Sequence, residues 1–148
     1  MVFSFEPFLQ LMVSAFLGSL LGLERRLRGK EAGLRTFALV ALGSCFFTIA
    51  ALTIGGITNV SSQSSSVIQA VAIGIGFLGS GLILRRKSQV GGLTTAAALW
   101  TTAALGIGVG LKLYSLAIFG AILIFVFLYI FGFIEDRMFR KNSKHASK

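Results

Sequence analysis

The sequence predicts an all-α integral membrane protein with five transmembrane helices, in which helices one–two and three–four form a parallel internal repeat. Three observations point there. Of the 148 residues, 55% are hydrophobic and 13% charged, with a mean hydropathy of +0.85, whereas a soluble domain carries about 25% charged residues. The apolar residues come in long blocks near the ~20 residues that a helix needs to cross a bilayer core. Finally, almost every cation falls in three of the stretches between or after those blocks.

Taken in order, the first span covers about residues 5–23, with Pro7 near its start, where the first-turn amides have no helical partner. The opening MVFSFEPF has no basic n-region of the signal-peptide kind, so this segment is expected to stay as a span. The second span covers about 34–54, the third 67–84, the fourth 94–111 and the fifth 115–134. The fourth is the least apolar, carrying Thr94, Thr95, Thr101 and Thr102, and so is expected at the centre, surrounded by the others. The fifth is bulky and rich in Phe, which places it at the rim against lipid. Residues 1–134 are read as one five-helix membrane domain and 135–148 as a basic cytoplasmic tail lying at the anionic inner leaflet.

Loop charge sets the expected orientation. The 23–35 connection holds Arg25, Arg26, Arg28, Lys30 and Arg35, the 85–93 turn Arg85, Arg86 and Lys87, and the tail five more cations; only Lys112 lies elsewhere. Cytoplasmic loops collect Lys and Arg, so the reading is N-out and C-in, with the Ser-rich loop 55–66 outside. The same rule accounts for the net charge of +9 without a nucleic-acid partner. The lone Cys45 can form no internal disulfide and reads as a small buried residue.

The chain matches itself. FLGS occurs at 16–19 and 77–80, a basic pair at 25–26 and 85–86, and Gly33-Leu34-Arg35-Thr36 aligns with Gly92-Leu93-Thr94-Thr95, at offsets of 61, 60 and 59. Parallel repeats of this kind are related by an axis along the membrane normal. Arg35 thus corresponds to Thr94. An Arg in a first helical turn opposes the helix dipole, which calls either for a structural pair with Glu24 or for an anion or partner contact.

Residues 74–110 hold nine of the eighteen glycines. Small residues let membrane helices approach closely, so this hairpin is expected to form the core, with a ridge of Ala72, Gly76 and Ser80 facing one of Thr102, Gly106 and Gly110. Replacing Gly76 by Leu should then separate the two helices. Trp100, at mid-helix, is expected inside the bundle.

No catalytic constellation is visible: there is no Ser/His/Asp set, no carboxylate pair and no Cys/His cluster, so neither an enzyme nor a bound cofactor or metal is expected. Gly74–Gly79 spells GxGxxG, but within a span and without the following acid that a dinucleotide site requires. All five acids lie near span edges, although ion-coupled carriers usually hold an ionisable residue inside the membrane. Ser19, Ser44, Thr48, Ser80, Thr95 and Thr101 either line a polar path or bond back to helix carbonyls.

GLERRLRGKEAGLRTFALVALGS at 22–44, GIGFLGSGLILRR at 74–86 and GGLTTAAALWTTAALGIGVGLKLY at 91–114 resemble the MgtC/SapB family of bacterial membrane proteins. The likeness covers about residues 8–134 and corresponds to a short form with the membrane domain only. It implies a multi-pass protein of the bacterial inner membrane, linked in some members to growth in low magnesium. It also implies a modulator that binds membrane partners such as ATP synthase, instead of carrying magnesium itself. Some members carry a soluble C-terminal domain, and many have Asn where this chain has Thr94. The motif positions expected to matter are Glu24, Arg25, Gly33, Arg35, Thr36, Gly76, Gly79, Arg85, Gly92, Thr94, Thr95 and Trp100. The expected partners are the lipid bilayer, another membrane protein and a further copy of the chain; a transporter or channel for an ion or small solute is the alternative.

Overall fold

A computed structural model describes residues 5–55, 60–86 and 89–143. It contains helices α1 (Glu6–Leu27), α2 (Leu34–Gly55), α3 (Val60–Leu82), α4 (Leu93–Gly110) and α5 (Tyr114–Ser143). Each contains a stretch long and apolar enough to cross a membrane. A two-stranded antiparallel ladder, β1 (Leu84–Arg86) with β2 (Gln89–Gly91), replaces the plain turn expected between α3 and α4.

Local chemistry sets the helix ends. α1 opens with Glu6 and Pro7 and closes with Arg25 and Arg26, charges that complement the helix dipole at both ends. It stops where Gly29 turns left-handed (φ 68°), so that the amides of Gly29 and Lys30 bond back to the carbonyls of Arg26 and Arg25. α4 starts after Gly92, also left-handed (φ 85°), at a point where a side chain would overlap the Leu82 carbonyl. α3 begins at Val60, earlier than expected, because the serines of 61–66 lie in its first turns; Ser66 bonds back to the Ser62 carbonyl.

Glycine contacts fix how the helices run. A Cβ at Gly18 or Gly22 of α1 would meet the Phe37 carbonyl at 2.5 Å or Leu34 Cα at 2.6 Å, which makes α1 and α2 a close antiparallel pair. Gly106 and Gly110 of α4 abut Ala41 and Ser44, then Cys45 and Thr48, of α2, so α2 and α4 run parallel. Gly108 and Gly120 lie beside Ala117 and Leu105, setting α5 antiparallel to α4. The core is therefore α1–α2–α4, with Leu21, Phe37, Leu99 and Val109 almost wholly buried.

This corrects one expectation and bears out two. The ridge of Thr102, Gly106 and Gly110 packs on α2, not on α3, and nothing lies within 4 Å of a Cβ added at Gly76. α4 is central as expected: 61% of its span is buried, against 17% for α3 and α5. α5 lies at the rim. Its 30 residues span about 45 Å at 1.5 Å per residue, so its last turns reach beyond the apolar stretch that ends at Ile134.

Candidate functional site

The helix directions bring the end of α1, the start of α2, the β-ladder and the start of α4 to one end of the bundle, where the Arg-rich segments gather. Glu24 is buried there, and its carboxylate pairs with both Arg25 and Arg28. The i,i+4 spacing sets Arg28 over Glu24 on the same helix face. From there Arg28 Nη2 donates to the Tyr129 carbonyl of α5 at 2.8 Å, and its guanidinium lies 5.5 Å from the Tyr129 ring centre. A side chain at Gly132 would strike that guanidinium (2.7 Å). One carboxylate thus ties together two cations and two helices.

At the opposite end, Gln10, itself buried, donates from Nε2 to the carbonyls of Val109 (2.9 Å) and Gly110 (3.0 Å). This contact registers α1 antiparallel to α4. Fifteen residues forward from Gln10 on α1 and fifteen back from Gly110 on α4, at the same rise, Arg25 and Thr95 share one depth, and both are buried. Between the two ends, buried Ser44, Thr48 and Thr102 lie along the α1–α2–α4 seam. Thr48 and Thr102 bond back to the Ser44 and Ala98 carbonyls, and fully buried Leu21, Phe37 and Leu99 share the seam with them. The seam is close-packed. A wide-open groove of about 330 Å³ lies away from it between Ala51 of α2 and Ser62, Ser66, Val67 and Ala70 of α3.

The other motif positions separate into packed and open groups. Gly33 lies under the stem of Arg26, whose Cβ would be 3.3 Å from an added methyl, and Gly79 faces Ala96 (Cβ–Cβ 3.6 Å). Arg85 sits in β1 opposite Val90. Arg35, Thr36 and Thr94 are exposed. The expected Arg35–Glu24 pair is not formed, because Arg25 and Arg28 occupy the carboxylate. Trp100, expected inside, is 49% exposed. It belongs to a stripe on α4 made of Thr94, Ala97, Trp100 and Ala104, open between the Ala96 side that meets α3 and the Leu105 side that meets α5.

Among the described residues, no cluster of three or more His, Cys, Asp or Glu side chains could hold a metal. Sequence reasoning missed Gln10, Arg28 and Tyr129. Gln10 left a trace, a lone amide within an apolar run, which in a membrane needs a hydrogen-bond partner. Nothing in the α5 sequence marks the Tyr129 carbonyl as an acceptor.

The family model described as "MgtC family" matches residues 11–137. The chain is 36% identical to the "Putative magnesium transporter YhiD" of Escherichia coli K12, with 93% of the chain and 66% of that protein aligned. It is 40% identical to "Protein SrpB" of Synechococcus elongatus (84% and 72% aligned). To "Protein MgtC" of Salmonella typhimurium LT2 it is 42% identical (81% and 50% aligned). The chain thus spans less than two thirds of YhiD and half of that MgtC. No solved structure gives a significant match.

Proposed function

The chain belongs to the MgtC family of multi-pass membrane proteins, and on that premise we propose that it is a non-enzymatic modulator of another membrane protein, in magnesium or ion homeostasis or stress adaptation. The observation that carries this reading is the contrast between its two kinds of small-residue surface. Glycines 18, 22, 106 and 110 hold a close-packed core in which polar side chains bond to helix carbonyls. The α4 stripe of Thr94, Ala97, Trp100 and Ala104 stays open on the most buried helix of the bundle. Small residues on an exposed membrane helix admit the backbone of another helix, and Trp100 supplies a large contact beside them.

In this reading the Arg-rich end faces the cytoplasm, giving N-out and C-in in the bacterial inner membrane, with 1–134 as the docking domain. The repeat of α1–α2 by α3–α4 is part of the proposal. It is supported by Gly18 meeting Phe37 and Gly79 meeting Ala96, glycines and partners that align between the two copies. Transport of an ion or small solute is the second reading, favoured by the name of the relative YhiD, a putative magnesium transporter, and by the hydroxyls along α4.

Photo-crosslinking from positions 97 and 104 in native membranes, alongside flux of Mg²⁺, K⁺ and phosphate in proteoliposomes, separates the two. A discrete crosslinked membrane protein with no flux is the expected result. Saturable flux of any of these solutes, with no crosslink, would overturn docking in favour of transport.

A further inference from the structure

Arg35 stands in the first turn of α2 with its side chain exposed, and that turn contains no acidic residue. The connection before it holds two acids: Glu24 is buried and held by Arg25 and Arg28, and Glu31, exposed four residues before Arg35, forms no ion pair with it. No ion pair joins Arg35 to any described residue. An arginine at a helix start is disfavoured by the dipole, so its counter-charge has to come from outside the fold.

The face below Arg35 indicates what brings that charge. Positions 35, 39, 42 and 46 follow the i, i+4, i+7, i+11 spacing of one helix face. Leu39 is 67% exposed, Phe46 55% and Leu42 36%. The opposite face of α2, with Phe37, Ala41, Ser44, Cys45 and Thr48, is buried against α1 and α4. Eleven residues rise about 16 Å, half the ~30 Å apolar thickness of a bilayer and the depth of one leaflet. A cation therefore heads an open apolar stripe one acyl chain long, and exposed Arg26 and Lys30 add positive charge in the same connection. Thr94, the residue aligned with Arg35 in the second copy, provides no such cation.

We propose that this face of α2 is a binding site for an anionic phospholipid, with the lipid phosphate on Arg35 and an acyl chain along Leu39, Leu42 and Phe46. The site is independent of any docked protein and needs no assumption about which side of the membrane the Arg-rich end occupies. Zwitterionic lipids offer the same chains without net charge, so headgroup selectivity is the signature of the site.

The test is native mass spectrometry of the full chain, delipidated in mild detergent and given equal amounts of phosphatidylglycerol and phosphatidylethanolamine. About fivefold preference for the anionic lipid is expected, the ratio that one cation near an anionic headgroup supplies. Arg35→Gln should bring the ratio close to one and Arg35→Lys should keep most of it. Lys112→Gln, which removes the same charge at the other end, should leave it unchanged. A wild-type ratio near one, or an equal loss in Lys112→Gln, overturns the proposal without reference to how Arg35→Gln folds. Millimolar inorganic phosphate tests the source of the anion. Displacement of the lipid by phosphate, with phosphate retained only when Arg35 is present, would make the ligand a free anion and overturn the lipid assignment.

Discussion

Gln10 of α1 and Val109 of α4, ninety-nine residues apart, are joined by a buried 2.9 Å hydrogen bond from the amide to the carbonyl, with a second bond to Gly110. The carbonyls at a helix C-terminus have no partner within the helix, and in lipid no water supplies one. The bond therefore closes the C-terminal end of α4 and sets the register of α1 against it.

Gln10→Leu should keep the fold and lower its stability by about 1 kcal/mol, the scale of one interhelical hydrogen bond in a membrane. Val109 keeps a second donor, the Lys112 amide at 2.9 Å, which limits the loss. Unfolding in mixed micelles measures it, and unchanged stability would show that the bond adds nothing net.

The glycines give a sharper contrast. A methyl at Gly106 would run into the Ala41 carbonyl and lie 3.0 Å from Ser44 Cβ, whereas Gly76 has open space. Gly106→Ala should cost about 2 kcal/mol or more, as overpacking a close contact does, and Gly76→Ala should stay within about 0.5 kcal/mol, as open surface positions do. Equal effects at the two sites would show that α3 packs as closely as α2.

That contrast marks where the sequence is legible. Span number followed from segment length and hydropathy, and the central place of α4 from its threonines, because a weakly apolar helix needs protein around it. A glycine ridge announces a close approach but not the helix it approaches, so Gly106 and Gly110, expected against α3, meet α2 instead. The basic connection was ambiguous in the same way. With five cations and two acids in 24–35, spacing favours Arg28 for Glu24 by i,i+4, whereas the burial that brings in Arg25 depends on α1 packing against its neighbours. Trp100 reads as interior because α4 is interior, but one stripe of α4 is left uncovered.

At the other end, Lys112 takes a left-handed conformation (φ 63°) just past α4, the position where glycine is usual. Its Nζ donates to Glu6 Oε2 at 2.7 Å. That hydrogen bond raises the lysine pKa above its ordinary 10.5. A raised folded-state pKa stabilises below the unfolded value, and the contribution fades as pH climbs past 10.5 and through the raised value. Lys112→Met should therefore melt below wild type at pH 7, the gap shrinking with salt and closing at strongly alkaline pH. A gap that persists there would place the effect in the backbone turn and not in the ion pair.

The Glu24 cluster offers the largest expected effect. Arg25 is 2% exposed and its side chain pairs with Glu24, so Glu24→Gln leaves a buried guanidinium without its counter-charge. Removing one member of a buried pair costs about 3–5 kcal/mol, enough to unfold many domains. Glu24→Gln with Arg25→Met removes both charges and should recover much of that loss, since an apolar replacement for a buried pair is often neutral. Arg28→Met acts differently, because Arg28 is half-open and reaches α5 through the Tyr129 carbonyl. It should leave the α1–α2–α4 core intact and loosen α5, which hydrogen exchange would report as lost protection of the α5 amides around Tyr129 with those of α4 unchanged. If the double variant stayed as unstable as Glu24→Gln alone, the carboxylate would have a role beyond neutralising Arg25, with Arg28 as the remaining partner through which it holds α5.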